Sequence, residues 1–74
     1  MSESTGLDEA AALYDQCAEE LELAARHCRT ASQHFRDNEV PRGAAHGWAA
    51  FGHVLEATAS LESQARTHAQ KSRP

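Results

Sequence analysis

Five histidines in a chain of 74 residues are the side chains here best suited to chemistry, and four of them share one spacing. His27 and His34 are seven apart, as are His46 and His53, while His68 stands alone. If the chain folds back near residue 40, His34 comes level with His46 and His27 level with His53. That is a ladder of two imidazole rungs, about 10 Å apart at the helical rise. Zinc, copper and nickel all accept imidazole, and two histidines with a carboxylate or thiolate could complete a site. Transition-metal binding or buffering by His27, His34, His46 and His53 is therefore one reading. The helical wheel favours another. At 100° per residue, His27 and His34 lie roughly 110–130° from the centre of the first apolar stripe, and His46 and His53 nearly opposite the second. The expectation is four solvated, outward-facing histidines and no cofactor.

The two cysteines offer less. Cys17 and Cys28 are about 16 Å apart if they share a helix. A disulfide needs Cα atoms within roughly 7 Å, so only pairing between subunits is open to them. The simpler expectation is two small buried side chains in a reducing compartment. Cys28 adjoins His27, but helical neighbours point about 100° apart and do not form a nucleophile and base. Asp15, Glu19, Glu20 and Glu22, followed by Arg26, Arg29 and Arg36, read as a solvated face that complements the helix dipole. A Gly-rich phosphate loop, a Ser–His–Asp set and a CxxC pair are all missing from the sequence. No enzyme is expected.

The elements that position these residues follow from size and periodicity. Seventy-four residues leave no room for two domains, and a lone chain this short buries only about 60% of its unfolded surface. Seven Lys and Arg against eleven Asp and Glu give a net charge of −4, which argues against nucleic acid and anionic membrane as partners. The first twelve residues lack the pattern of a secretory signal. No apolar run reaches the roughly 18 residues of a membrane span, so a cytoplasmic location is expected. Aromatic residues are only 5% of the chain, so any core is built from small side chains.

Leu7, Tyr14, Leu21, Cys28 and Phe35 recur every seven residues, beside the rows Ala10, Cys17, Ala24, Ala31 and Ala11, Ala18, Ala25, Ser32. This is helical periodicity. Thr5 with Asp8 resembles a capping box, and the expected first helix covers 6–36. A turn over 37–40 follows, with Asn38 suited to the left-handed conformation and Pro41 to a first helical turn. The second helix is expected over 41–69, with rows Pro41, Trp48, Leu55 and Ala44, Phe51, Thr58, Ala65, and a frayed tail over 70–74. Gly52 reads as a point of close backbone approach; Gly43 and Gly47 suggest no such role.

The fold class is thus all-α, an antiparallel two-helix hairpin. Trp48, Phe51 and Leu55, with Leu21, Cys28 and Phe35, are expected to carry the contacts between helices. Each stripe is wider than one neighbour can cover, so the hairpin is expected to dimerise into a four-helix bundle. The expected interface is Leu7, Tyr14, Cys17, Leu21, Cys28, Phe35, Trp48, Phe51 and Leu55.

The stretch Ala24-Ala25-Arg26-His27-Cys28-Arg29-Thr30-Ala31-Ser32-Gln33-His34-Phe35 resembles a group of small bacterial Ala- and His-rich helical-hairpin proteins. Their first helix reads A-A-x-H-H-x-x-A-x-x-H-H and their second A-A-H-H-x-x-x-A-x-G-H-x-L-x-A. Gly43 through Ala57 falls in register with the latter, so the resemblance spans about residues 24–57. It implies the hairpin and aligns His27, His34, His46 and His53. Cys28, Phe35 and Ala45 stand where the pattern has a second histidine, Gly43 where it has alanine, and Asn38-Glu39 where it has Gly-Asp. The resemblance names no activity. The functional expectation is a small homo-oligomeric interaction or scaffold protein, with metal buffering or acidic inhibition of a larger protein as alternatives.

Overall fold

The computed structural model describes the backbone of residues 3–72 and 74 and the side chains of residues 6–72 and 74. It is an antiparallel helical hairpin, 54 × 25 × 12 Å, made of α1 (Glu3–Arg36) and α2 (Val40–Lys71). Helix α1 starts three residues before the point the Thr5–Asp8 pair suggests, and the Thr5 side chain lies outside the described residues. Helix α2 starts at Val40 and holds to Lys71 instead of fraying after residue 69. Its last turn carries His68 and Lys71 near the negative end of the dipole, and the Ser72 hydroxyl donates to the His68 carbonyl at 2.9 Å.

The turn shows why the helices part where they do. Asn38 has φ 59°, the left-handed conformation that Asn tolerates better than most residues. Its N–H donates to the Phe35 carbonyl (3.1 Å), and the Glu39 N–H donates to the His34 carbonyl (2.8 Å). This is the Schellman pattern, which satisfies two of the carbonyls a helix end leaves open. Pro41 then sits in the first turn of α2, where its missing N–H costs nothing. The Glu39 side chain makes no cap and is free to act elsewhere.

The helices meet along rows of small residues. On α1 the buried row is Cys17, Ala24 and Ala31; on α2 it is Gly43, Ala50 and Ala57. Three or four residues from each of these lie half-buried side chains: Leu13, Glu20, His27 and His34 on α1, Glu39 just before α2, and His46, His53 and Ser60 on α2. Alternating steps of three and four are the seam of an antiparallel coiled coil. Alanine and glycine let the backbones approach closely, so dispersion between main chains replaces the usual interdigitation of large side chains.

This placement overturns the expectation that Leu21, Cys28, Trp48, Phe51 and Leu55 join the helices, because all five are exposed; Phe35, although half exposed, does reach across, its ring covering Gly43 of α2. Cys17 is only 5% exposed within the seam, the small buried side chain expected of it, and so is not at the surface where a subunit interface would need it. Its thiol donates weakly to the Ala57 carbonyl at 3.8 Å. Cys28, expected to be buried, lies at the surface.

The glycines exchange roles for the same reason. Gly43 is buried under the ring of Phe35, and a Cβ there would lie 2.6 Å from the ring Cε2. Gly52 has nothing within 4 Å of where its Cβ would be. Gly52→Ala is therefore expected to stabilise the hairpin by about 1 kcal/mol through helix propensity alone. A urea melt followed by circular dichroism measures this; an unchanged or lower midpoint would show that the position meets something the hairpin does not contain.

Candidate functional site

The histidine ladder exists, and it lies in the seam. The rings follow the order His34, His46, His27, His53, alternating between α1 and α2 at centroid separations of 5.3, 5.2 and 5.4 Å. Histidines seven apart on one helix are about 10 Å apart. The opposite helix inserts its own ring halfway, so the observed steps are close to half that distance. The histidines face inward, not outward, because the helices meet on the small rows. At 100° per residue the large apolar side chains centre about 70° from the seam on α1 and about 150° from it on α2.

Each ladder histidine has a hydrogen-bonding partner through Nδ1. His53 Nδ1 lies 2.6 Å from a carboxylate oxygen of Glu20, and His34 Nδ1 lies 3.1 Å from one of Glu39. The Glu39 carboxylate also accepts from Arg42 at 3.1 Å. The central pair is joined directly, His27 Nδ1 to His46 Nδ1 at 2.9 Å. One ring must donate and the other accept, so the contact holds only while at least one of the two Nδ1 atoms is unprotonated. The ladder is thus a polar network along the seam with a carboxylate at each end.

Glu20 and Glu39 were not singled out from the sequence for this role. The signal was available: Glu20 precedes His27 by seven residues and Glu39 precedes His46 by seven, which puts both in the histidine rows. His68 is exposed and stands apart from the ladder. Among the described residues, no group of three or more His, Cys, Asp or Glu side chains is placed to hold a metal ion. His46→Ala is expected to cost about 1–2 kcal/mol, since it removes two ring contacts and leaves His27 Nδ1 without its partner. Chemical denaturation checks this, with His68→Ala as the neutral control.

The second feature is a broad uncovered face. On α1 it comprises Leu7, Tyr14, Leu21, Cys28 and Phe35 with the small row Ala11, Ala18, Ala25 and Ser32 beside them. On α2, Val40, Val54 and Leu61 continue it, with Ala44, Phe51 and Thr58 alongside and Trp48 and Leu55 at its edge. None of these large side chains is buried, and exposure reaches 69% at Leu7 and 73% at Trp48. Trp48 and Phe51 meet edge to face at 6.2 Å. No Asp, Glu, Lys or Arg interrupts these rows between Leu7 and Leu61. The opposite side of the hairpin is polar, with Gln16, Glu19, Glu20, Glu56 and Ser60 lining a shallow cleft there. Among the described residues, no helix is long and apolar enough to cross a membrane. The chain matches no family model, no curated protein and no solved structure, so these two features carry the functional reading alone.

Proposed function

We propose that this chain is a non-catalytic, self-associating helical module, two copies of which form a four-helix bundle that serves as a small interaction or scaffold unit. The observation that carries the reading is the uncovered apolar face. The hairpin exposes 5836 Å². A folded monomer of 8.0 kDa is expected to expose about 4,450 Å². The excess is about 1,400 Å², more than the roughly 800 Å² each partner contributes to a standard interface. Contiguous apolar faces left uncovered in this way are uncommon on soluble monomers and mark interaction surfaces. Sedimentation equilibrium at micromolar concentration tests the reading, with the mass of two chains as the expected result. A fully helical single chain would sink it and turn attention to a different protein as the occupant, in line with an acidic inhibitor of a larger partner.

A second reading, transition-metal binding by His27, His34, His46 and His53, is favoured by the convergence of four imidazoles into one line. Two nitrogens only 2.9 Å apart offer a ligand pair at His27 and His46. Other ligands would have to come from a second copy or from solvent. Calorimetric titration with zinc, copper and nickel decides it. Heat that is absent, or that survives loss of both histidines, removes this reading.

A further inference from the structure

We infer that the two copies meet face to face with α1 running antiparallel to α1 of the second copy, about a two-fold axis level with Ala25. The inference rests on the self-association proposed above and specifies its geometry. Its basis is a row of charges at the outer edge of the apolar face on α1. Asp8, Asp15, Glu22, Arg29 and Arg36 recur every seven residues, acidic toward the open end of the hairpin and basic toward the turn. Among the described residues, no ion pair within the chain engages any of the five.

A row that changes sign at its middle is complementary to its own reverse. Laid antiparallel, Glu22 faces Arg29 of the second copy and Asp15 faces Arg36, and each pair recurs through the two-fold axis. The neighbouring rows agree with that centre to within half a residue. Leu21 falls opposite Cys28, Tyr14 opposite Phe35 and Ala18 opposite Ser32. Ala25 meets its own copy, a small residue where the two backbones come closest.

The other two-fold arrangement that stacks these faces lays α1 over α2 of the second copy. The Cys17–Ala57 contact and the ladder register set residue 62 of α2 level with about residues 12–14 of α1. That arrangement would bring Glu62 of the second copy between Asp8 and Asp15, acid against acid. Like charges across an interface disfavour it, and charge patterns of this kind select partner orientation in helical bundles.

Charge reversal at the rim tests the geometry on the full chain. Glu22→Arg alone and Arg29→Glu alone each put like charges together at two symmetric places. Each is expected to weaken the dimer about tenfold, within the range of partly exposed ion pairs. Glu22→Arg with Arg29→Glu in one chain restores affinity. Mixing the two single variants gives heterodimers in excess of the statistical half, read by native mass spectrometry. If all variants dimerise like wild type and the mixture is statistical, the antiparallel geometry is wrong while self-association stands. If wild type itself is a single chain at micromolar concentration, self-association and the geometry fail together. Ala25→Cys in a Cys28→Ser background gives a second measurement: a short bis-maleimide should link two chains efficiently, and failure to link a dimer of confirmed mass overturns the placement of the axis.

Discussion

Ala57→Leu is expected to lower hairpin stability by about 3 kcal/mol, the upper end of what overpacking usually costs. Ala57 is 1% exposed, and its carbonyl faces the Cys17 thiol across the seam. A leucine there has no cavity to enter, because close approach of the two backbones is the packing. The helices must part, and parting them weakens the neighbouring Ala24, Ala31 and Ala50 contacts and lengthens the His27–His53 stack. A chain of this length has roughly 4–11 kcal/mol of total stability to lose. Urea denaturation followed by circular dichroism measures the change. Ala59→Leu, on the exposed side of the same helix, is the control and is expected within about 0.5 kcal/mol of wild type. Equal midpoints for the two variants would show that the seam does not run through Ala57.

What could be read beforehand divides along a physical line. Periodicity reports angles around a helix, and it correctly gave two helices, an antiparallel pairing and a turn at Asn38 and Pro41. Periodicity does not report which of two adjacent stripes faces the partner helix. Size suggests one answer, on the usual ground that large apolar side chains go inside. It favours the row Leu7, Tyr14, Leu21, Cys28, Phe35 over the row Ala10, Cys17, Ala24, Ala31. In this hairpin the ranking is inverted. Small residues bring the backbones together, and the large ones are left on a face the hairpin cannot cover.

The other differences follow from that one inversion. Turning the wheel by about 70° on α1 and about 150° on α2, at 100° per residue, moves the histidines into the seam. The same rotation buries Gly43 and Cys17 and frees Gly52 and Cys28. The ladder itself was legible as seven-residue spacing, and the four histidines aligned by the Ala/His-rich resemblance are its four members. Its end caps were harder to see. Glu20 and Glu39 read as ordinary surface acids until the histidine rows are known to be half-buried, because only in a partly dry seam does an imidazole gain from a carboxylate partner.

Leu21→Asp separates the two roles that the sequence alone had merged. If Leu21 lay between the helices of one chain, an aspartate there would be an unpaired buried charge, and the hairpin would unfold. Leu21 is 46% exposed, so within one chain the new carboxylate can remain hydrated. The cost arises when the apolar face is covered, because a second copy would strip water from an anion that has no cation in either flanking row. Leaving a charge unpaired at a dry interface costs on the order of 2–5 kcal/mol, which is 30-fold or more in affinity. The expected result is a sedimentation mass of one chain at concentrations where the proposed wild-type dimer has the mass of two. Helicity at low temperature should fall less than the thermal midpoint does, because the seam of Ala24, Ala31, Ala50 and Ala57 is intact and only its cover is gone. A variant that keeps the dimer mass would place the interface elsewhere. One that loses helix fully even at high protein concentration would return Leu21 to the space between α1 and α2.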